Sequence, residues 1–243
     1  MELKIVIPSH KRATRVRTTS AVDGAILCVA ESQRALYAKC NGDIEIVTHP
    51  DEMIGLARKR DWILRHFGSV FMLDDDIDHL VRLYTEKGED VIVPADVARE
   101  LVLSTAQAAE NAGAYAFGFA TSPAPVTYNS LNPIQLSGYV TGCAHGVLAG
   151  SKLWYNADII CNEDYWISLL NAYQHRLIFK DTRFYWAQKD TFVNRGGLAE
   201  FRNLAAEEQD FELLKKVFGS AVELRKNATN AKHPFQKSLC LPF

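Results

Sequence analysis

The sequence predicts an α/β fold, a mainly parallel mixed sheet flanked by helices in a single domain. Two patterns predict it. Short apolar, β-branched runs alternate with segments of helical period in the order strand, loop, helix, strand, helix, strand, which favours parallel pairing through right-handed crossovers. The third of those strands, ending Val70-Phe71-Met72-Leu73, runs straight into Asp74-Asp75-Asp76, with Asp78 two positions on. Acid side chains delivered by a buried strand belong at the carboxyl edge of an open α/β sheet, where such folds build their sites.

Taken in order, Leu3 to Ile7 is the first strand, ended by Pro8, and a polar, basic loop follows from Ser9 to Arg17. Residues 21–27 read either as a strand or as a short buried segment. Glu31 to Lys39 has a helical pattern stopped by Asn41-Gly42, and Asp43 to Thr48 alternates as a strand. Gly55 to Phe67 is the second helix, with Leu56, Ile63 and Leu64 on one face and Arg58, Lys59, Arg60 and Arg65 around the rest. Gly68 stops it. Asp96 to Asn111, alanine-rich and capped by Asp96 after Pro94, is the third helix, and Ala114 to Ala120 the next strand. Thr121 to Pro133 is a Pro- and Ser-rich loop, and Leu136 to Leu148 is apolar and glycine-punctuated, as a strand pair close to a ligand would be. A helix capped by Asn162 or a neighbour follows, then strands at Arg176 to Phe179 and Phe184 to Trp186, a polar turn from Asp190 to Gly197, and a helix from Glu207 to Phe218. The tail, Arg225 to Lys237, is basic and loop-like.

Composition narrows the function classes. A formal net charge of -2 gives no global basic field, so nucleic-acid binding would rest on a local patch. The five cysteines are scattered without a CxxC pair, which fits a reduced compartment and thiols packed as small core residues. The amino terminus enters a strand without a signal-peptide apolar region, and no run reaches the ~18–20 apolar residues of a membrane span. A cytoplasmic protein with no membrane partner is the expectation; oligomeric state is not legible.

Three adjacent carboxylates repel one another unless solvent or a cation compensates. On an extended backbone Asp74 and Asp76 share a face and suit a hard divalent cation, which prefers carboxylate oxygens and brings phosphates with it. The alternative is a helix cap with a solvated acidic turn. The basic loop after the first strand suits a phosphate or nucleotide, or else faces solvent. Glu163-Asp164 at a helix start is either a catalytic pair or first-turn carboxylates favoured by the helix dipole.

The order of these features resembles the GT-A fold of nucleotide-sugar glycosyltransferases. Ile5-Val6-Ile7-Pro8-Ser9-His10-Lys11-Arg12 is similar to that fold's opening strand and nucleotide loop, and Gly55-Leu56-Ala57-Arg58-Lys59-Arg60-Asp61 to its G-x-A-x-x-R-N helix. Phe71 to Asp76 is similar to its DxD strand, and Asn162-Glu163-Asp164 to the ED helix of inverting members. More narrowly, the compact length, the Ser-His-Lys-Arg loop and Cys161 to Trp166 resemble the phage enzymes, associated with TET/JBP-type base hydroxylases, that glycosylate hydroxymethylated pyrimidines in DNA. A QxxRW-like string is absent; Phe192 to Gly197 is the only comparable region.

The resemblance implies residues 1–112 as a nucleotide-sugar-binding half, 113–224 as an acceptor-binding and catalytic half, and 225–243 as a basic tail. It implies a UDP-sugar donor held by Pro8, Ser9, His10, Arg12, Arg58, Asp74 and Asp75, with Asp75 binding ribose or capping a following helix. Mn²⁺ or Mg²⁺ would sit on Asp74 and Asp76, with His233 as a further ligand. Asp164, with Glu163 second, would be the base, and His145, Trp166 and Arg195 would face the acceptor. Lys59, Arg60 and Arg65 read as a solvated positive face, and Trp154, Trp166 and Trp186 as mostly core, one of them free to stack on a flipped base. The clusters Lys11-Arg12-Arg15-Arg17 and Arg225-Lys226-Lys232-His233-Lys237 offer a groove for DNA phosphates. Two other readings stand beside this one: a glycosyltransferase for glycans or small hydroxyl compounds, and a non-catalytic nucleotide- or DNA-binding module, against which both acidic pairs speak. A nucleotidyltransferase would need a glycine-rich loop after the first strand, which is missing.

Overall fold

The computed structural model describes residues 2–85, 92–124, 128–189, 197–225 and 235–241. The elements run β1 (Lys4–Pro8), β2 (Ile26–Ala30), α1 (Arg34–Asn41), β3 (Ile46–His49), α2 (Leu56–Phe67), β4 (Val70–Leu73), β5 (Ile77–Arg82), β6 (Ile92–Val93) and α3 (Ala95–Asn111). They continue with β7 (Ala116–Phe119), β8 (Ile134–Gln135), β9 (Ala144–Val147), α4 (Glu163–Gln174), β10 (Ile178–Asp181), β11 (Phe184–Gln188), α5 (Leu204–Phe218), β12 (Val222–Leu224) and β13 (Lys237–Leu239).

The main sheet has eight strands in the order β3-β2-β1-β4-β9-β7-β10-β8. Neighbours from β3 to β4 pair in parallel, as do β7 and β10, while β9 and the edge strand β8 run antiparallel to their neighbours. The expected α/β architecture, a mainly parallel mixed sheet flanked by helices, is therefore what the chain adopts. Alternation along the strands feeds two cores. Ile5, Ile7, Phe71 and Leu73 pack with α1 and α3 on one side, and Val6, Val70 and Met72 pack with α2, α4 and α5 on the other. The chain leaves β1 toward β2 and β3, then returns to β4 on β1's other flank. That reversal opens a crevice at the carboxyl ends of β1 and β4.

Several expectations need correction. The second strand occupies 26–30, an unbroken buried run that begins after an Asp23-Gly24 turn with Gly24 at φ 67°. No helix follows the acidic run; Ile77–Arg82 is a strand of a separate three-stranded sheet, β11-β5-β6, so Asp75 has no helix to cap. Asp96 lies in the first turn of α3, whose cap position is Pro94. Within Leu136 to Leu148 only Ala144–Val147 is a named strand, so the expected strand pair is not formed there, while Gly142 and its neighbours line a cavity at the crevice. A Cβ on Gly146 would fall 2.0 Å from Phe117, and one on Gly142 would meet the Asp164 carboxylate at 3.3 Å. Of the basic tail, Lys237 opens β13, which pairs antiparallel with β12, and residues 226–234 lie outside the described residues.

Candidate active site

A cavity of about 580 Å³ opens at the crevice. Its walls carry Pro8, Ser9, His10 and Arg12 after β1, the start of α2, Asp74 to Asp76 after β4, and Glu163 and Asp164 at the start of α4.

The acidic turn carries the chain from the main sheet into the second one. The fully buried Thr18 holds it: its hydroxyl donates to the Asp74 carbonyl at 2.5 Å and accepts from Ile77 N–H at 3.1 Å. Asp74 N–H donates to the Cys143 carbonyl at 2.9 Å, tying the turn to the loop before β9. The side chains then alternate. Asp75 accepts from the Ser9 hydroxyl and from Arg12 Nη1, the latter at 2.8 Å. Asp74 and Asp76 instead converge on the Gln188 amide, whose Nε2 lies 3.5 Å from Asp74 Oδ2 and 2.9 Å from Asp76 Oδ1. Gln188 ends β11 just past a register irregularity against β5, the kind of bulge that re-aims a side chain.

Burial raises the pKa of both Asp74 and Asp76, and their mutual repulsion with Asp75 adds to it. Two oxygen-donor side chains that face one shared point and repel each other fit a hard divalent cation. Among the described residues no three His, Cys, Asp or Glu side chains form a cage.

Arg60 is wholly buried and joins the two acidic groups. Its Nη2 donates to Asp74 Oδ1 at 2.8 Å, and its Nε lies 3.7 Å from Glu163 Oε1. The reading of Lys59 and Arg60 as a solvated face is thus overturned: α2 packs on β1 and β4, and its inner face points these side chains at the crevice. Arg58 takes the outward side and is exposed, apart from the cavity wall. Arg65 is solvated as expected, paired with Asp61. Lys59 is 6% exposed, lines the cavity, and makes no hydrogen bond or ion pair within 4 Å among the described residues. Burial lowers its pKa to about 8. His10 beside it is pulled down to about 4 by burial and by Lys59 and Lys11, so the imidazole is neutral at pH 7.

Glu163 and Asp164 differ in setting. Glu163 is 4% exposed, and its Oε2 is buried with no hydrogen-bond partner among the described residues. Burial, then repulsion from Asp164 and Asp74, pushes it up to about 8 against the pull of Arg60. Asp164 is only partly buried; Oδ2 accepts from the Tyr139 hydroxyl at 2.5 Å and Oδ1 from Tyr165 N–H at 2.8 Å. Its pKa is raised by burial, while the Tyr139 and Tyr165 bonds favour the ionised form.

The crevice thus gathers Pro8, Ser9, His10, Arg12, Asp74, Asp75, Asp76, Glu163 and Asp164. It does not gather His145 or Trp166. His145 is fully buried, bonded to the Tyr155 hydroxyl at 2.6 Å and the Thr141 carbonyl at 2.8 Å, and burial beside Arg60 drops it to about 3. Trp166 is core, with Nε1 donating to the Trp154 carbonyl at 3.0 Å. Trp186 is core too, whereas Trp154 is 41% exposed. Arg195 and His233 lie outside the described residues. Much of the proposed basic groove is engaged internally: Lys11 with Glu200, Arg12 with Asp75, Arg17 with Asp78, and Lys237 buried on Glu207. Lys226 and Lys232 lie outside the described residues.

Cavity residues that sequence reasoning missed are Lys59, Tyr139, Tyr185, Gln188, Phe201 and Arg202, together with Arg60, which meets the site through Asp74 and Glu163. Tyr139 had a signal in its glycine-punctuated run; Gln188 and Arg202 had none. Among the described residues no helix is long and apolar enough to cross a membrane.

A family model described as TET-Associated Glycosyltransferase matches residues 3–197. Among solved structures, S. aureus TarS 1-349 superposes with a TM-score of 0.48 at 10% identity, over 91% of this chain and 73% of that one. A second S. aureus TarS structure gives 0.44 at 9% identity, over 90% and 44%. With both TM-scores below 0.5, neither likeness bears on chemistry or substrate. No curated protein matches the sequence.

Proposed function

Because the chain belongs to the TET-associated glycosyltransferase family, we propose that it is a metal-dependent, inverting enzyme moving a sugar from a UDP-sugar to the hydroxymethyl group of a modified pyrimidine in DNA. The observation that carries this reading is one cavity with two chemically distinct ends. Arg12, Lys59 and the start of α2, with the neutral His10 beside them as a hydrogen-bonding group, line an end suited to a nucleoside diphosphate, and Asp164 with Tyr139 lines the other.

Asp74 and Asp76 would hold Mn²⁺ or Mg²⁺, which when bound neutralises charge on the departing diphosphate. The chain's own residues do the rest. Asp164 takes the acceptor hydroxyl proton as that oxygen bonds to the anomeric carbon and the bond to the diphosphate oxygen breaks, which inverts the centre. Tyr139 and the Tyr165 amide fix the carboxylate's orientation. Tyr139, Tyr185 and Phe201 supply aromatic surface on which an extruded base would stack. Glu163 is paired with Arg60 and is the more buried of the two, which favours Asp164 as the base.

The direct test mixes the protein, Mn²⁺ and a panel of nucleotide sugars with hydroxymethylated DNA, then digests the DNA for mass spectrometry of its nucleosides. A sugar-sized mass gain on the modified pyrimidine is expected. Donor hydrolysis indifferent to any DNA would move the acceptor to a glycan or small hydroxyl compound, and neither product would defeat the reading.

Lys59 gives a second test at the donor end. Lys59→Met is expected to weaken UDP binding about tenfold, the equivalent of ~1.4 kcal/mol for a diphosphate that loses a buried cation. A bound diphosphate favours the charged ammonium, so binding near pH 8–9 should take up protons, and affinity should fall as pH rises beyond about 8. Calorimetry in buffers of different ionisation enthalpy reads the uptake. Equal heats in all buffers would place the diphosphate away from Lys59.

A further inference from the structure

The segment after residue 197 lies beyond the family match, yet it holds the loop that leads into α4. Asp210, fully buried on α5, accepts Ile160 N–H at 2.9 Å on one oxygen. Its other oxygen accepts Cys161 N–H at 2.7 Å and Asn162 Nδ2 at 2.9 Å. Lys237, 3% exposed on β13, donates to Asn162 Oδ1 at 3.1 Å, to Glu207 Oε2 at 2.9 Å and to the Phe235 carbonyl at 3.1 Å. Asn162 sits at the cap position of α4 but makes no side-chain cap bond. It faces α5 and the β12–β13 hairpin instead, also donating to Glu207 at 3.1 Å.

Burying a carboxylate and an ammonium is costly unless their bonding capacity is used, and here each makes three hydrogen bonds. All three Asp210 bonds and one from Lys237 fall on consecutive residues 160–162, immediately before Glu163 and Asp164, and Lys237's other two go to Glu207 and the Phe235 carbonyl. We propose that Asp210 and Lys237 are positioning residues which, through Asn162, set where the Asp164 carboxylate stands in the cavity. The carboxyl-terminal segment is then a working part of the transfer site, although neither residue touches a reactant. This rests on the reading of Asp164 as the base.

The test uses Lys237→Met, which keeps the aliphatic stem and removes the ammonium, with Asp210→Asn as second variant should the first not fold. Amide hydrogen exchange at Ile160, Cys161 and Tyr165 reports the loop and the Asp164 carboxylate without any substrate. Expected are faster exchange at these amides, Mn²⁺–UDP binding within about twofold of the native protein, and kcat lower by about 100-fold with donor KM unchanged, as for a misplaced reacting group. Native exchange at all three amides would overturn the clasp, as would altered exchange with native kcat, or a loss shared equally by UDP binding. A native protein that binds Mn²⁺–UDP but glycosylates nothing would instead defeat the base assignment, and the exchange data would still judge the clasp.

Discussion

Asp164→Asn is expected to fold, to bind Mn²⁺–UDP as the native protein does, and to lose transfer by about a thousandfold, within the range for removing a general base. The amide oxygen can still accept from the Tyr165 N–H while the amide NH2 donates to the Tyr139 hydroxyl oxygen, so geometry is largely kept while basicity is lost. The native rate should fall on acidification through the raised Asp164 pKa, because the base must be ionised to take the acceptor proton, and the variant's residual rate should lack that limb. Glu163→Gln is the control. If it costs more than Asp164→Asn, or if Asp164→Asn keeps native turnover, the base is not Asp164.

Arg60→Met is expected to be the most destabilising single change near the cavity, by about 3–5 kcal/mol, since it leaves two carboxylates with an uncompensated buried charge. Arg60 is the guanidinium shared by Asp74 and Glu163, and no other cation lies within 4 Å of Glu163 among the described residues. The loss should depend on pH. Glu163 already stands at about 8 when folded against an ordinary 4.5, and removing Arg60 raises it further. A carboxyl with a raised folded pKa binds its proton more tightly when folded, so its stabilisation is complete below about 4.5 and is lost as pH rises toward the folded value. The gap in melting temperature between variant and native protein should therefore be small near pH 5 and large above pH 8. Equal gaps at both pH values would show that Arg60 is not what compensates these carboxylates.

The sequence by itself determined β1, the run from α1 through β4, the helices α3 to α5 and the strands β7, β10 and β11, the emergence of Asp74 to Asp76 at a strand's carboxyl end, and Glu163-Asp164 at a helix start. These follow from local periodicity and from stop signals such as Gly68 and Gly219, which need no distant partner to be read. Only the tertiary structure decided which charges are buried at the crevice. Arg58, Lys59 and Arg60 are neighbours on one helix, and what separates an exposed arginine from a buried one is where β4 and α4 bring Asp74 and Glu163. Gln188 reaches the two aspartates only because β11 pairs with β5, and Lys237 is buried only because the β12–β13 hairpin folds onto α4 and α5. His145 went the other way, sealed under Tyr155 and Arg60 by its place in a central strand. Burial of a charge costs more than any local propensity returns, so its partners, remote in sequence, decide its position.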